Sequence, residues 1–115
     1  MRRGDVYLVD FEPSQGAEAH NQRPAVIVSN EGTNRRVFEL SWGVVNVVPF
    51  TTNVTRALPF HVFIPADEAG IDEDSQAQAE QLRAVSVGRL LERIGHVPPS
   101  LMRRIDDALR LQLVL

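Results

Sequence analysis

The chain has 115 residues, enough for one domain around one core and too few for two. Hydrophobic residues make up 43% and charged residues 23%, an ordinary globular composition, and the absence of cysteine excludes disulfides and thiolate metal sites. All twelve cationic residues are arginine, and the net charge of -3 argues only mildly against nucleic acid, because binding depends on the local charge.

The sequence of the N-terminal half predicts short strands joined by polar loops. The strands predicted there are residues 5–11, 24–28, 37–40 and 44–51. The second strand is a short β-branched apolar run closed by Ser29 and Asn30. Pro24 lacks a backbone donor and is expected at its first position, which leaves the guanidinium of Arg23 at its mouth. Residues 12–22 read as a flexible loop, and residues 30–34 as a turn.

The C-terminal half predicts a strand at 60–64, an acidic loop at 65–74 and a short strand or turn at 90–97. Residues 75–87 are ambiguous, since their propensity favours a helix and their periodicity does not decide. A helix is expected to open at Pro98 and Pro99. Its predicted apolar stripe is Met102, Ile105, Leu109 and Leu113. Five or six strands followed by one helix indicate an all-β barrel with a helical lid.

Several segments, taken together and in order, resemble the MazF/PemK family of toxin endoribonucleases from toxin–antitoxin systems. The segments that carry this resemblance are Arg3-Gly4-Asp5-Val6-Tyr7, Glu12-Pro13 through Gly16, Arg23-Pro24-Ala25-Val26-Ile27-Val28-Ser29-Asn30, Val48-Pro49-Phe50-Thr51, Asp74-Ser75 through Glu80-Gln81-Leu82-Arg83, and Ile105-Asp106-Asp107-Ala108-Leu109. Each motif is weak alone, and the ordered set over nearly the whole chain is specific.

The resemblance implies a mainly β fold, an SH3-like barrel with a short mid-chain helix and a C-terminal helix. It implies one toxin domain over residues 1–115 that works as a homodimer. It also implies a strand over 75–85 in place of a helix. That strand is expected to put one set of side chains on one face: Ser75, Ala77, Ala79, Gln81, Arg83 and Val85.

The activity implied by the resemblance is metal-independent cleavage of single-stranded RNA at short sequences, without a cofactor. Arg23 and Thr51 would be catalytic, and a cognate antitoxin would silence the protein. RNA binding is expected at Gln81, Gly16, Glu18 and His20, with Glu80 and Arg83 in supporting roles. The guanidinium suits this role because it can give two parallel hydrogen bonds to phosphate oxygens.

Blander interpretations remain open for single residues. Arg23 could be a solvated strand-edge residue or pair with Glu18 or Glu80, and Thr51 could be an ordinary strand residue. Trp42 could stack on a base, pack at a dimer seam, or lie at the edge of the core.

Other function classes also remain open. His20, His61 and His96 invite a histidine acid–base ribonuclease, although a lone loop histidine is more often idle. The acidic run 72–74 lacks the spacing of a calcium loop, so no metal site is predicted. The chain could instead be a gyrase-binding toxin of the CcdB type, though its last five residues lack an aromatic, or an inactive binding barrel. Since no apolar run reaches membrane-spanning length and the N-terminal residues lack a signal-peptide core, a cytoplasmic protein without membrane contact is expected.

Overall fold

A computed structural model describes residues 1–56 and 58–115 of the chain. Within that part the fold is mainly β. The strands are β1 (Asp5–Asp10), β2 (Gln22–Ile27), β3 (Val44–Thr51), β4 (His61–Ile64), β5 (Ser75–Gln78), β6 (Arg83–Ser86) and β7 (Leu90–His96). The α-helices are α1 (Glu31–Leu40), α2 (Ala66–Ala69) and α3 (Pro99–Leu113), and two 3₁₀ turns span Ala79–Gln81 and Val87–Arg89.

The strands form one antiparallel sheet in the order β4-β5-β3-β2-β1-β7. Strand β3 is its centre, since its first half also pairs with β6 and its end pairs with β5. In the described residues β4 and β7 lie at the two ends of this path and do not pair with each other. The fold is an SH3-like barrel, as the sequence resemblance implies, and within these residues the barrel stays open between β4 and β7.

The alternation of side chains along the strands divides the core between the two faces of the sheet. Val26 and Val48 face α3, where they pack in one cluster with Ile105. Ile27 and Val47 point the other way and pack in a second cluster with Val37 of α1. The strand predictions for these segments are confirmed, except that β2 begins at Gln22 and Pro24 is its third residue.

The expected strand at 37–40 and turn at 30–34 are wrong, because residues 31–34 and 37–40 belong to α1 and Asn30 caps it. Asn30 is the helix N-cap, and its side chain accepts a hydrogen bond of 2.8 Å from the backbone N–H of Thr33. Asn34 and Val37 are the buried residues of this helix, spaced three apart. The polar residues that suggest a turn therefore act here as a helix cap.

The segment 75–86 confirms the strand implied by the resemblance and not the helix favoured by propensity. It is interrupted, however, by the 3₁₀ turn Ala79–Gln81 between β5 and β6. The turn divides the segment into two short strands, so the one continuous face expected over 75–85 does not form. Within β5, Gln76 is buried as well as its neighbours Ser75 and Ala77, so both faces of this strand are covered. The acidic loop 65–74 likewise contains one short helix, α2.

Helix α3 begins as expected, with Pro98 as N-cap and Pro99 in its first position. Met102 and Ile105 are buried, as the predicted stripe requires, and Leu109 packs against the same core. Leu113 is 48% exposed, so the stripe ends one turn early. Trp42 is 78% exposed, which contradicts its placement at the edge of the core.

In the part of the chain that the structure describes, no helix is long and apolar enough to cross a bilayer.

Candidate active site

Arg23 and Thr51 meet where the β2–β3 ladder ends. The two strands pair antiparallel through Ala25 with Pro49, and continuing that register two residues further brings Arg23 opposite Thr51. Residues opposite each other in an antiparallel pair project their side chains to the same face. Both side chains line one cleft of about 250 Å³, the rest of which is formed by His20, Asn21, Gln22, Pro24, Phe50 and Thr52.

The guanidinium of Arg23 is half-buried at this cleft. Its Nε donates to the backbone carbonyl of His20 at 3.2 Å, which fixes the plane of the group. Burial lowers the pKa of Arg23, but an arginine in a protein stays protonated, so the cleft holds a permanent positive charge. Among residues 1–56 and 58–115, Arg23 forms no ion pair, so the alternative pairing with Glu18 or Glu80 is not found.

The hydroxyl of Thr51 is also half-buried. Its oxygen accepts a hydrogen bond of 3.2 Å from the backbone N–H of Asn53. That contact uses an acceptor lone pair and leaves the hydroxyl proton free to be donated into the cleft. The pair of Arg23 and Thr51 therefore offers a fixed cation and a neutral donor on one side of one cleft, which suits a phosphate diester.

The loop between β1 and β2, residues 12–21, carries three more predicted RNA contacts. His20 is exposed and lines the cleft. Glu18 is exposed and accepts from the backbone N–H of Gln15 at 2.8 Å, and Gly16 has a positive φ of 57°. Neither Gly16 nor Glu18 is among the cleft-lining residues, so His20 is the one of these three predicted contacts that lines the cleft, beside its neighbour Asn21.

Gln81, Glu80 and Arg83 lie apart from the cleft lining. The amide of Gln81 is bonded to the backbone of Ala17 and Ala19, and a carboxylate oxygen of Glu80 lies 2.9 Å from a ring nitrogen of His61. The guanidinium of Arg83 lies over the ring of Phe11, 5.5 Å from its centroid, as a cation–π contact. The supporting role expected for Glu80 and Arg83 stays a prediction.

Sequence reasoning missed other residues of the cleft. Asn21, Gln22 and Thr52 each neighbour a predicted residue in the chain, and that adjacency was the only signal available. A second cleft of about 530 Å³ shares Pro24 and Thr52 with the first and continues towards an acidic end. Its charged lining residues are Asp72, Glu73, Glu92 and Arg93.

No three histidine, aspartate or glutamate side chains within the described part of the chain are grouped to hold a metal ion.

The chain is an open SH3-like barrel that carries a cation and a hydroxyl at the ends of two paired strands. Residues 2–113 match the model of the PemK-like, MazF-like toxin family of type II toxin–antitoxin systems. The chain belongs to that family, and the resemblance found in the sequence is confirmed.

Two relatives match over nearly their whole length. Endoribonuclease MazF9 of Mycobacterium tuberculosis is 45% identical over 115 residues, covering 100% of this chain and 98% of the relative. Endoribonuclease EndoA of Bacillus subtilis is 34% identical over 116 residues, covering 100% and 96%. Among solved structures, a mycobacterial endoribonuclease in complex with its cognate antitoxin has a TM-score of 0.79 at 26% identity, covering 100% of this chain and 96% of that one.

Proposed function

We propose that the chain is a toxin endoribonuclease that cleaves single-stranded RNA in the cleft lined by Arg23 and Thr51. The observation that carries this assignment is the convergence of these two side chains on one cleft, in a chain of the endoribonuclease toxin family. His20, Gly16 and Glu18 contribute RNA contacts from the loop 12–21. Residues 1–115 act as one toxin domain in the cytoplasm.

The RNA supplies its own nucleophile, so the protein needs only to position the reacting atoms and stabilise the charge that develops at phosphorus. The ribose 2′-oxygen bonds to the adjacent phosphorus as the P–O5′ bond breaks. The 2′ proton is lost and the leaving 5′ oxygen takes up a proton. The products are a 2′,3′-cyclic phosphate and a free 5′-OH. Holding the 2′-oxygen in line with the leaving group carries much of the rate, and no metal or cofactor is required.

Arg23 and Thr51 act on the charge that develops at phosphorus. The guanidinium of Arg23 gives two parallel hydrogen bonds to the non-bridging oxygens, which are strongest when those oxygens are most negative. Thr51 donates its hydroxyl proton to a non-bridging oxygen or orients the 2′-OH. Loss of one such charged donor costs on the order of 3–4 kcal/mol in the barrier, by analogy with single oxyanion donors.

The protein works as a homodimer and is silenced by a cognate antitoxin. An acidic, partly disordered antitoxin segment would lie across the RNA groove and compete for the same arginines. The solved antitoxin complex of a mycobacterial relative supports this partner. The gyrase-binding alternative has no comparable support, because the two relatives that match over nearly their whole length are endoribonucleases.

The deciding experiment is cleavage of a short mixed-sequence RNA by the purified protein in EDTA. We expect wild-type cleavage with 2′,3′-cyclic phosphate ends, detected by mass spectrometry. Thr51→Val and Arg23→Ala should each lose on the order of 10²–10³ in rate, the size of effect seen for a single oxyanion donor. Arg23→Lys should recover only part of the rate, because lysine cannot bind phosphate through two parallel donors.

The matched control is Arg110→Ala, which removes an exposed arginine of α3 that pairs with Asp107 at 3.0 Å. It should cleave at the wild-type rate. Light scattering should give twice the chain mass of 12.8 kDa. Wild-type rates in both Arg23→Ala and Thr51→Val, or cleavage abolished by EDTA, would refute the proposal.

A further inference from the structure

A run of side-chain hydrogen bonds begins at the segment that follows Thr51. The amide nitrogen of Gln76 donates to the backbone carbonyl of Val54 at 3.3 Å. Its amide oxygen lies 2.9 Å from Nδ1 of His61. Gln76 is 4% exposed and is the strand partner of Thr51 in the β3–β5 ladder. Gln76 therefore pairs with Thr51 through the strand ladder and binds Val54, three residues further along the chain, through its side chain.

The run continues through His61 to the 3₁₀ turn Ala79–Gln81. Nε2 of His61 lies 2.9 Å from a carboxylate oxygen of Glu80, and the side chain of His61 is only 7% exposed. Since the amide nitrogen of Gln76 is used by Val54, both ring nitrogens of His61 face oxygen atoms. Both contacts are hydrogen bonds when both ring nitrogens carry a proton. Phe60 packs edge-on against the ring, with 5.1 Å between the ring centroids.

Gln81, the next residue in the chain, reaches the other loop at the cleft. Its amide oxygen accepts from the N–H of Ala19, and its amide nitrogen donates to the carbonyl of Ala17, both at 2.9 Å. The following residue in that loop, His20, provides the carbonyl that orients Arg23. The amide oxygen and nitrogen of Gln81 are therefore both used in holding the loop 12–21.

These contacts form one relay between the two chain segments that border the cleft. We propose that Gln76, His61, Glu80 and Gln81 are positioning residues that set the spacing of the loop 12–21 and the segment 52–56 around the RNA. The relay thereby determines cleavage-site selectivity without touching the RNA itself. This inference rests on the proposed function and reassigns Gln81, expected from the sequence to bind RNA, to the holding of a loop.

The relay leads to a prediction that would not follow if these residues bound RNA directly. Gln76→Met keeps the size of a buried side chain and removes both hydrogen bonds at the far end of the relay. We expect faster amide hydrogen exchange in residues 17–21, which Gln76 does not bond, together with about a tenfold loss in kcat/KM. The ratio of cleavage at the preferred site to the next site should also fall. Exchange is measured by mass spectrometry on the RNA-free protein.

Gln78→Met is the matched control. Gln78 lies two residues further along β5 and is half-buried, and its amide oxygen makes no hydrogen bond within the described residues. The same chemical change there should leave loop exchange, kcat/KM and selectivity at wild-type values. The comparison separates loss of the relay from a general effect of placing methionine in β5.

A double-mutant cycle tests whether the two glutamines act together. Gln81→Met alone should lose about tenfold in kcat/KM. The double variant Gln76→Met with Gln81→Met should also lose about tenfold, because either change already disconnects the loops, whereas independent residues would give about a hundredfold. An additive double variant, or loop exchange unchanged by Gln76→Met, would overturn the relay.

The relay and the proposed function fail in different ways. Absence of wild-type RNA cleavage would refute the proposed function, and the exchange experiment would still measure the relay without RNA. Wild-type cleavage that depends on Arg23, with loop exchange indifferent to Gln76, would refute the relay alone.

Discussion

Asp5 is a buried carboxylate that receives hydrogen bonds from several directions. The backbone N–H of Arg2 donates to it at 2.9 Å, Nδ1 of His96 lies 2.8 Å away, and Nε of Arg93 lies 3.3 Å away. Burial by itself raises the pKa of Asp5, but the hydrogen bonds from His96 and Arg2 and the charge of Arg93 outweigh it. The net result is a pKa below the ordinary value of 3.8.

This shift has a defined sign for stability. A carboxyl group whose pKa is lower in the folded state contributes stability above its unfolded pKa, and loses it as the pH falls through the folded value. We expect Asp5→Asn to lower the free energy of unfolding at pH 7 by about 1.5–3 kcal/mol, the usual contribution of hydrogen bonds to a charged group. The difference from wild type should shrink below about pH 4. Urea denaturation at pH 7 and pH 3 measures both.

Asp107→Asn is the control for that experiment. Its side chain is 78% exposed and, among the residues that the structure describes, its ion pair is with Arg110, three residues along the same helix. Exposed pairs of this kind contribute little, so its effect should be near zero at both pH values. Equal pH dependence in the two variants would contradict the role assigned to Asp5.

At the same scale, the sequence predicted some of the residues that line the candidate cleft and not others. Arg23 and Thr51 were found through ordered motifs, and the structure brings them to one cleft. The contacts of Gln81 were not foreseen, since they join residues 62 and 64 positions apart in sequence. Hydrogen bonds between residues so far apart in sequence depend on how the strands pack, and no local sequence pattern predicts them.

Among the elements, β-strands with strong apolar runs were predicted well, and segments governed by capping or tertiary contacts were not. Helix α1 has only Asn34 and Val37 buried, so its apolar pattern is faint. The sequence evidence for this helix was Asn30, a residue type that is equally typical of a turn and of a helix N-cap. Residues 75–78 have helical propensity, yet the ladders with β3 and β4 on either side hold them extended.

Gly95 in β7 provides a test at the scale of elements. A Cβ at this position would collide with the backbone carbonyl oxygen of Ala69 in α2 and lie 3.1 Å from Ile71. Since that carbonyl belongs to the backbone, Gly95→Ala must separate β7 from the end of α2. We expect a loss of about 1–3 kcal/mol in unfolding free energy, the usual cost of overpacking, measured by urea denaturation.

Gly88→Ala is the matching control, because a Cβ at Gly88 would meet no atom within 4 Å. Its stability should stay within about 0.5 kcal/mol of wild type, as for an ordinary surface substitution. A Gly95→Ala variant as stable as Gly88→Ala would mean that β7 and α2 are not in close contact in solution.

Over the whole molecule, the negative net charge repels the RNA that the chain is proposed to bind. The net charge is -3, and the acidic end of the larger cleft adjoins the cleft of Arg23 through Pro24 and Thr52. RNA therefore approaches a local cation past nearby carboxylates. The composition alone gave the total charge, and only the fold reveals that Glu73 stands beside the cleft.

Glu73→Gln tests this long-range effect. One carboxylate at roughly 10–15 Å from a phosphate in water repels it by about 0.3–0.4 kcal/mol, so its removal should raise kcat/KM about twofold at low ionic strength. The gain should vanish in about 1 M salt, where the screening length is about 3 Å. Glu39→Gln makes the same change in net charge on α1, away from both clefts. It should leave kcat/KM unchanged, and an equal gain in both variants would mean that net charge, and not the position of Glu73, governs RNA approach.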